Sequence, residues 1–179
     1  MAIRKVAVMG HPVLRLAATP VPEAMIKSPK VQQLLSDMLD TMYEYNGLGL
    51  AAPQVYESLQ IVVMIWDFEQ DQEPYIRYLI NPVITNLTKE ESGHWEGCLS
   101  VPGLRGWVSR PNRISVKAFD DQGKAIEFIA EGFAATVIQH ECDHLLGKLY
   151  LDRMTEMEKL VFESEFKKHI RSEDESTAE

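Results

Sequence analysis

Gln139-His140-Glu141-Cys142-Asp143-His144-Leu145-Leu146-Gly147 decides how the rest of the chain is read. It contains His-Glu-x-x-His. In a helix, positions four apart stand one above the other, so both imidazoles leave the same face. Two imidazoles presented that way can bind a metal, and the glutamate between them can handle protons on water activated there. The helix is predicted to open at Gly132 and to run to about Leu146, with Gly147 as the left-handed residue that ends it. Phe133, Ala134, Val137, Ile138, Cys142 and Leu145 lie on all its sides, which marks a helix buried all round. Two histidines and a glutamate are costly in such a helix unless partnered, and a metal partners both imidazoles at once.

A catalytic centre of this kind needs a third protein ligand and an open position. Three sources remain open. His144-x-x-Gly147 is in register with the metzincin pattern, but Tyr150, a poor ligand, stands where that pattern has its third histidine. A glutamate on a following helix, as in thermolysin-like proteases, would be Glu163 or Glu165. An upstream thiolate would be Cys98, in Glu96-Gly97-Cys98-Leu99-Ser100. Thiolate plus two imidazoles suits zinc or ferrous iron; the competing reading of Cys98 is a buried structural thiol.

Outward from the helix, residues 1–30 carry Pro12, Pro20, Pro22 and Pro29 and show no sustained period, so an irregular arm is expected. Ser28-Pro29 is a helix start, and Val31, Leu34, Leu35, Met38, Leu39 and Met42 keep a helical period until Asn46-Gly47 stops it. Gly47-Leu48-Gly49-Leu50-Ala51-Ala52-Pro53-Gln54 follows, small and uncharged. It lacks the Lys-Ser/Thr of a phosphate loop. Small residues there let the backbone approach a ligand closely, and Gln54 is a candidate donor. Ile61–Trp66 is a buried strand, 67–74 a polar loop, and 75–80 a strand broken by Asn81-Pro82 and continued over 83–87. Trp107-Val108 is a short strand. In Arg113–Phe119 Ile114, Val116 and Ala118 alternate with polar residues, giving one buried and one wet face. Asp120-Asp121-Gln122-Gly123 is a hairpin turn before a partner strand over 124–130. A last helix is predicted over about 155–170. The class is α+β: short, mostly antiparallel sheets around one buried metal-binding helix, with an N-terminal and a C-terminal helix.

The 179 residues suit one domain, expected over 1–171, with a disordered acidic tail over 172–179. No apolar run approaches the ~20 residues of a membrane span. The start lacks the apolar stretch of a secretory signal and the Arg/Ser-rich character of a transit peptide, so the expected address is the cytoplasm. There the two cysteines are expected as reduced thiols, with Cys142 facing the core. A net charge of −9 argues against DNA or anionic membrane as a partner.

Together the blocks Gly47–Gln54, Glu96–Ser100 and Gln139–His144, in this order and at these separations, closely resemble the peptide deformylases. The resemblance covers roughly residues 3–155. It implies a metal-dependent hydrolase that removes the formyl group from the N-terminal formyl-methionine of new polypeptides. Carried over, the metal ligands are Cys98, His140 and His144, and the ion is Fe(II) in vivo, with zinc or nickel able to replace it. Glu141 is implied as general base and acid. Gln54 and the backbone N–H of Leu99 are implied as oxyanion donors. Leu48, His94, Phe133 and Val137 are implied around the methionine side chain, with His94 a less usual choice, and Phe133 and Val137 share a helix face with His140. The backbone of Gly49 and the side chain of Arg105 are implied against the peptide. Glu96 and Arg110 form an implied buried pair under the cysteine loop, and Asp143 supports the ligands.

Two readings compete with this one: a zinc endopeptidase, and a metal-binding module without catalysis. A lesser idea is ribosome association through Lys159, Lys167, Lys168, His169 and Arg171 of the last helix, against which stands an ordinary solvated helix face with cations near its C-terminus.

Overall fold

The structure, a computed structural model, describes residues 2–66 and 74–170. The loop expected after Trp66, Arg171 and the expected acidic tail lie outside the described residues.

Helix α1 (Pro29–Glu44) starts as its sequence dictates. The Ser28 hydroxyl accepts from the Val31 N–H at 3.4 Å and Pro29 fills the first turn. Its apolar stripe, Val31, Leu34, Leu35, Met38 and Met42, is buried. Strands β1 (Gly49–Ala51), β2 (Ile61–Trp66), β3 (Tyr75–Asn86), β6 (Arg113–Phe119) and β7 (Ala125–Glu131) form one antiparallel sheet in the order β1-β2-β3-β6-β7. The unbroken apolar run of β2 has a simple cause. Ile61 and Val63 join the core under α1, while Val62 and Met64 join the core under helix α2 (Gly132–Leu145). Successive side chains point to opposite faces, and both faces are covered. In β6 the expected alternation holds, with Ile114, Val116 and Ala118 turned into the core beneath α2.

A second sheet, β4-β5-β8, carries the cysteine. It joins β4 (Glu91–Cys98), β5 (Val101–Pro111) and β8 (Leu160–Phe162). Cys98 pairs with Val101 at the end of the β4–β5 hairpin, so it sits where the chain reverses. Helix α2 contacts both sheets, with eleven of its residues buried, and ends at Gly147 as expected. The Lys148 N–H bonds the Asp143 carbonyl and the Gly147 N–H bonds that of His144, the Schellman arrangement, and Gly147 has φ 70°.

The elements differ from the sequence reading in five places. Two strands were not read at all: β1, inside the Gly47–Gln54 stretch, and β4, which leads to Cys98. Asn81-Pro82 does not break β3. It makes a bulge between Ile80 and Val83, and the Asn81 amide bonds both backbone groups of Val21 at 2.8 Å. Trp107-Val108 is the middle of an eleven-residue strand, not a short one. The helix predicted over 155–170 is shorter. A single 3-10 turn, Met157–Lys159, comes first; Leu160–Phe162 then form β8 against β5, and helical structure (α3, Glu163–Glu165, then a wider turn over Phe166–Ile170) resumes after it. The free edge of β5 offers backbone donors and acceptors that Leu160-Val161-Phe162, β-branched and aromatic, satisfies as a strand.

Candidate active site

His140 and His144 lie four residues apart on α2, and both are buried. Their rings meet edge to face with centroids 5.2 Å apart. The Cys98 Sγ lies 3.3 Å from His144 Nε2, although 46 residues separate them in sequence. The ligand atoms of Cys98, His140 and His144 all fall within 4.8 Å of one another. Among the described residues no other set of His, Cys, Asp and Glu converges so. Glu163 is paired with Arg105 and Glu165 with Lys168, away from this cluster. Tyr150 packs its ring parallel to that of His140, 6.1 Å away.

The surroundings aim the donors. His140 Nδ1 donates to Glu96 Oε2 at 2.7 Å, which leaves Nε2 for a ligand. Glu96 and Arg110 form a bidentate pair at 2.5 and 3.0 Å, and Arg110 reaches on to Asp143 at 2.8 Å. Asp143 also accepts from Arg153 Nε at 3.0 Å. Glu96, Arg110 and Asp143, expected to support the ligands, form a charged network joining β4, β5 and α2. Burial alone would raise the Glu96 carboxyl, but hydrogen bonds from His140 and Arg110 outweigh it and hold Glu96 below its ordinary range. Burial also opposes ionisation of Cys98; the two imidazoles overcome it and hold the thiol well below its usual value. Cys142 faces the core, and burial keeps its thiol protonated.

Glu141 is buried, with one carboxylate oxygen, Oε2, lacking any hydrogen-bond partner. Burial raises its carboxyl above the ordinary value. An unpaired carboxylate oxygen beside three converging soft donors fits a cation with a coordinated water, since nothing in the protein answers that oxygen. Gly49 runs tight against it: a Cβ on Gly49 would lie 2.6 Å from Glu141 Oε1.

Gln54 is held from both ends of its amide. Its Oε1 accepts from the Ala51 N–H at 2.8 Å, and its Nε2 donates to Ser100 Oγ at 3.2 Å and points at Cys98 Sγ, 3.6 Å away. The N-terminal arm locks both loops, since the Ala7 N–H bonds the Gln54 carbonyl and the Met9 N–H bonds that of Ser100.

These groups open onto a cleft of about 760 Å³. Leu48, Gly49, Gln54, Glu96, Cys98, Leu99, Arg105, Phe133, Val137, His140 and Glu141 all line it. Leu48 and Phe133 are half exposed at its mouth. His94 is not in the lining; it stands behind Phe133, ring centroids 5.5 Å apart. Arg110, Asp143 and His144 also lie outside the lining. The sequence reading missed Ser100, Tyr45, Trp95, Lys5 and Lys167 as parts of the site or its walls. Ser100 had a signal, being inside the cysteine block; the others come together only through long-range folding.

The family model described as polypeptide deformylase matches residues 3–160. The chain belongs to the peptide deformylase family. A peptide deformylase 2 of Pseudomonas putida is 47% identical, over 89% of this chain and 92% of the relative. A peptide deformylase 2 of Pseudomonas syringae pathovar tomato is 44% identical with the same coverage. Among solved structures, a class I type b peptide deformylase of Acinetobacter baumannii with Met-Ala-Ser bound superposes with a TM-score of 0.80 at 37% identity, covering 86% of this chain and 99% of that one. An actinonin-bound structure of the same enzyme gives 0.78 at 37% identity, covering 87% and 100%. The family activity is metal-dependent removal of the formyl group from formyl-methionyl nascent peptides, and neither the endopeptidase nor the non-catalytic reading is favoured. No helix among the described residues is long and apolar enough to cross a membrane.

Proposed function

We propose that Cys98, His140 and His144 hold one divalent ion, Fe(II) in the cell with zinc or nickel able to occupy the same donors, and that Glu141 is the general base and acid for deformylation. The carrying observation is the convergence of three soft donors beside a buried carboxylate oxygen with no other partner. When bound, the ion supplies a Lewis-acid charge that makes water acidic at neutral pH. With the ion held, Glu141 Oε2 would take the proton of a water in the cleft, and the water oxygen would add to the formyl carbon. Glu141, its carboxyl raised by burial, then passes the proton to the amine nitrogen as the C–N bond breaks. Gln54 Nε2 and the Leu99 backbone N–H donate to the formyl oxygen as it gains charge. The Gln54 amide is already fixed at its other end, so little reorganisation is needed.

Substrate binding is assigned along the cleft. Leu48, Phe133 and Val137 enclose the methionine side chain; His94, behind Phe133, shapes that wall from outside. The Gly49 backbone bonds the peptide and Arg105 faces its later residues. Met-Ala-Ser in the Acinetobacter relative supports a peptide in this position. Residues 1–171 are taken as one catalytic domain in the cytoplasm, where formylated nascent chains emerge. The cations of the last segment support a solvated face over ribosome docking, because Lys159 pairs with Glu156, Lys167 with Glu163 and Lys168 with Glu165.

Formate release from formyl-Met-Ala-Ser by anaerobic, iron-loaded protein tests the reading. Wild type is expected to turn over, Glu141→Ala to lose at least ~10²-fold in rate, and Cys98→Ala to lose its metal. An inactive wild type, or full metal retention without Cys98, overturns it.

A further inference from the structure

The match to the family model ends at residue 160, yet the residues just past it enter the cleft wall. Leu160–Phe162 pairs with β5, with Arg105 opposite Val161. Glu163 and Lys167 then line the cleft beside Arg105 and Trp95. Glu163 Oε1 accepts from Arg105 Nη2 at 3.0 Å and faces Lys167 Nζ at 3.3 Å. Phe166 lies on Trp95, ring centroids 5.2 Å apart. Lys159 stands over the Trp107 ring at 5.5 Å. Backbone pairing, ring contacts and an ion pair thus tie this segment to β4 and β5.

Arg105 is the residue held. Its guanidinium lies against Gly97, where a Cβ would come within 2.7 Å of Cζ. Gly97 directly precedes Cys98. The guanidinium is therefore clamped between the backbone beside the metal cysteine and the Glu163 carboxylate. Arginine has many rotamers, and a fixed carboxylate partner selects one of them. The Arg105 pairing also holds the Glu163 carboxyl below its ordinary range, so it is ionised at neutral pH.

We propose that Glu163 is a positioning and specificity-determining residue: it fixes Arg105 against Gly97, so that residues 160–167 form the outer wall of the cleft and contact the peptide beyond its formyl-methionine. This rests on the formyl-peptide reading given above. Loss of a contact made equally in the ground and transition states raises KM and leaves kcat unchanged. The pair is about one-third exposed on each side, so its worth is modest and corresponds to roughly a two- to fivefold effect.

The test uses the full-length, metal-loaded enzyme, wild type and Glu163→Gln, on formyl-Met-Ala-Ser amide and on formyl-methionine amide, both uncharged, the second with no following residues. The readout is the ratio of the two KM values within one preparation, where losses of folded or metal-loaded enzyme cancel. Glu163→Gln is expected to raise the tripeptide-to-methionine ratio roughly two- to fivefold. Salt at about 0.5 M is expected to raise it in wild type and to leave it unmoved in the variant, because the partly exposed pair is screened. Equal ratios in an active wild type and variant overturn this inference alone. A wild type that releases formate from neither substrate overturns the underlying reading and this inference with it.

Discussion

Gly49→Ala adds one methyl group to β1, and the position of that methyl lies 2.6 Å from Glu141 Oε1 and 2.8 Å from its Cδ and Cγ. Unstrained contacts between such atoms begin near ~3.5 Å, so the two groups must separate by roughly 0.8 Å. β1 cannot give easily. It is fully buried and paired with β2, Gly49 opposite Met64. The glutamate side chain has rotatable bonds and an unpaired oxygen, so Glu141 is the part that moves. Displacing a general base by about 1 Å costs on the order of 10²-fold in rate. Overpacking at the same point is expected to lower stability by about 1–3 kcal/mol. The metal ligands are not in the path of the methyl, so metal content should stay at the wild-type level. The assay pairs formate release with metal analysis and urea unfolding on one preparation. Folded, metal-replete Gly49→Ala with kcat/KM within threefold of wild type would refute the placement of Glu141 against β1 as the basis of its catalytic position.

Gln54→Ala removes the amide that reaches toward Cys98 and unpairs the Ala51 N–H; kcat is expected to fall about 10²–10³-fold, measured by formate release at saturating substrate. Arg110→Met leaves Glu96 and Asp143 buried without their shared cation. The expected cost is about 3–5 kcal/mol in urea unfolding, with metal affinity weakened about 10–100-fold because Glu96, which orients His140, loses the cation that holds it in place. Asp37 is nearly buried; desolvation would raise its carboxyl, but hydrogen bonds from Gln33, Arg4 and the Ala2 N–H outweigh it and hold it below 3.8. Its folded value lies below its unfolded one, so its stabilisation is complete above the unfolded value and is lost as pH falls through the folded one. The stability gap between wild type and Asp37→Asn should therefore shrink as pH drops below about 4, read from urea midpoints across that range.

Much of the site could be read in sequence because it is local. His140, Glu141 and His144 share a helical face by spacing alone, and Gly147 ends that helix through its left-handed conformation. The alternation in Arg113–Phe119 and the Ser28-Pro29 start are equally local and appear as read. The C-terminal segment resisted reading for the opposite reason. Leu160, Val161 and Phe162 carry no period that separates helix from strand over so short a run. Their choice was made by the open edge of β5, whose Leu104 pairs with Phe162, 58 residues further along the chain.

The choice of third ligand divides the same way. The residues by themselves left Cys98, Glu163 and Glu165 open, and only resemblance to a family favoured the thiol. The fold separates them physically. The β4–β5 hairpin delivers Cys98 to 3.3 Å from His144, whereas β8 carries Glu163 to Arg105. Chain-local rules determined the helix, its two imidazoles and its glutamate, because backbone periodicity alone orients neighbours on one element. What closes around them was decided in three dimensions: Cys98, the Glu96–Arg110–Asp143 network, the clamped Gln54 amide and the outer wall. Those contacts join elements whose approach depends on strand pairing and burial across the whole chain.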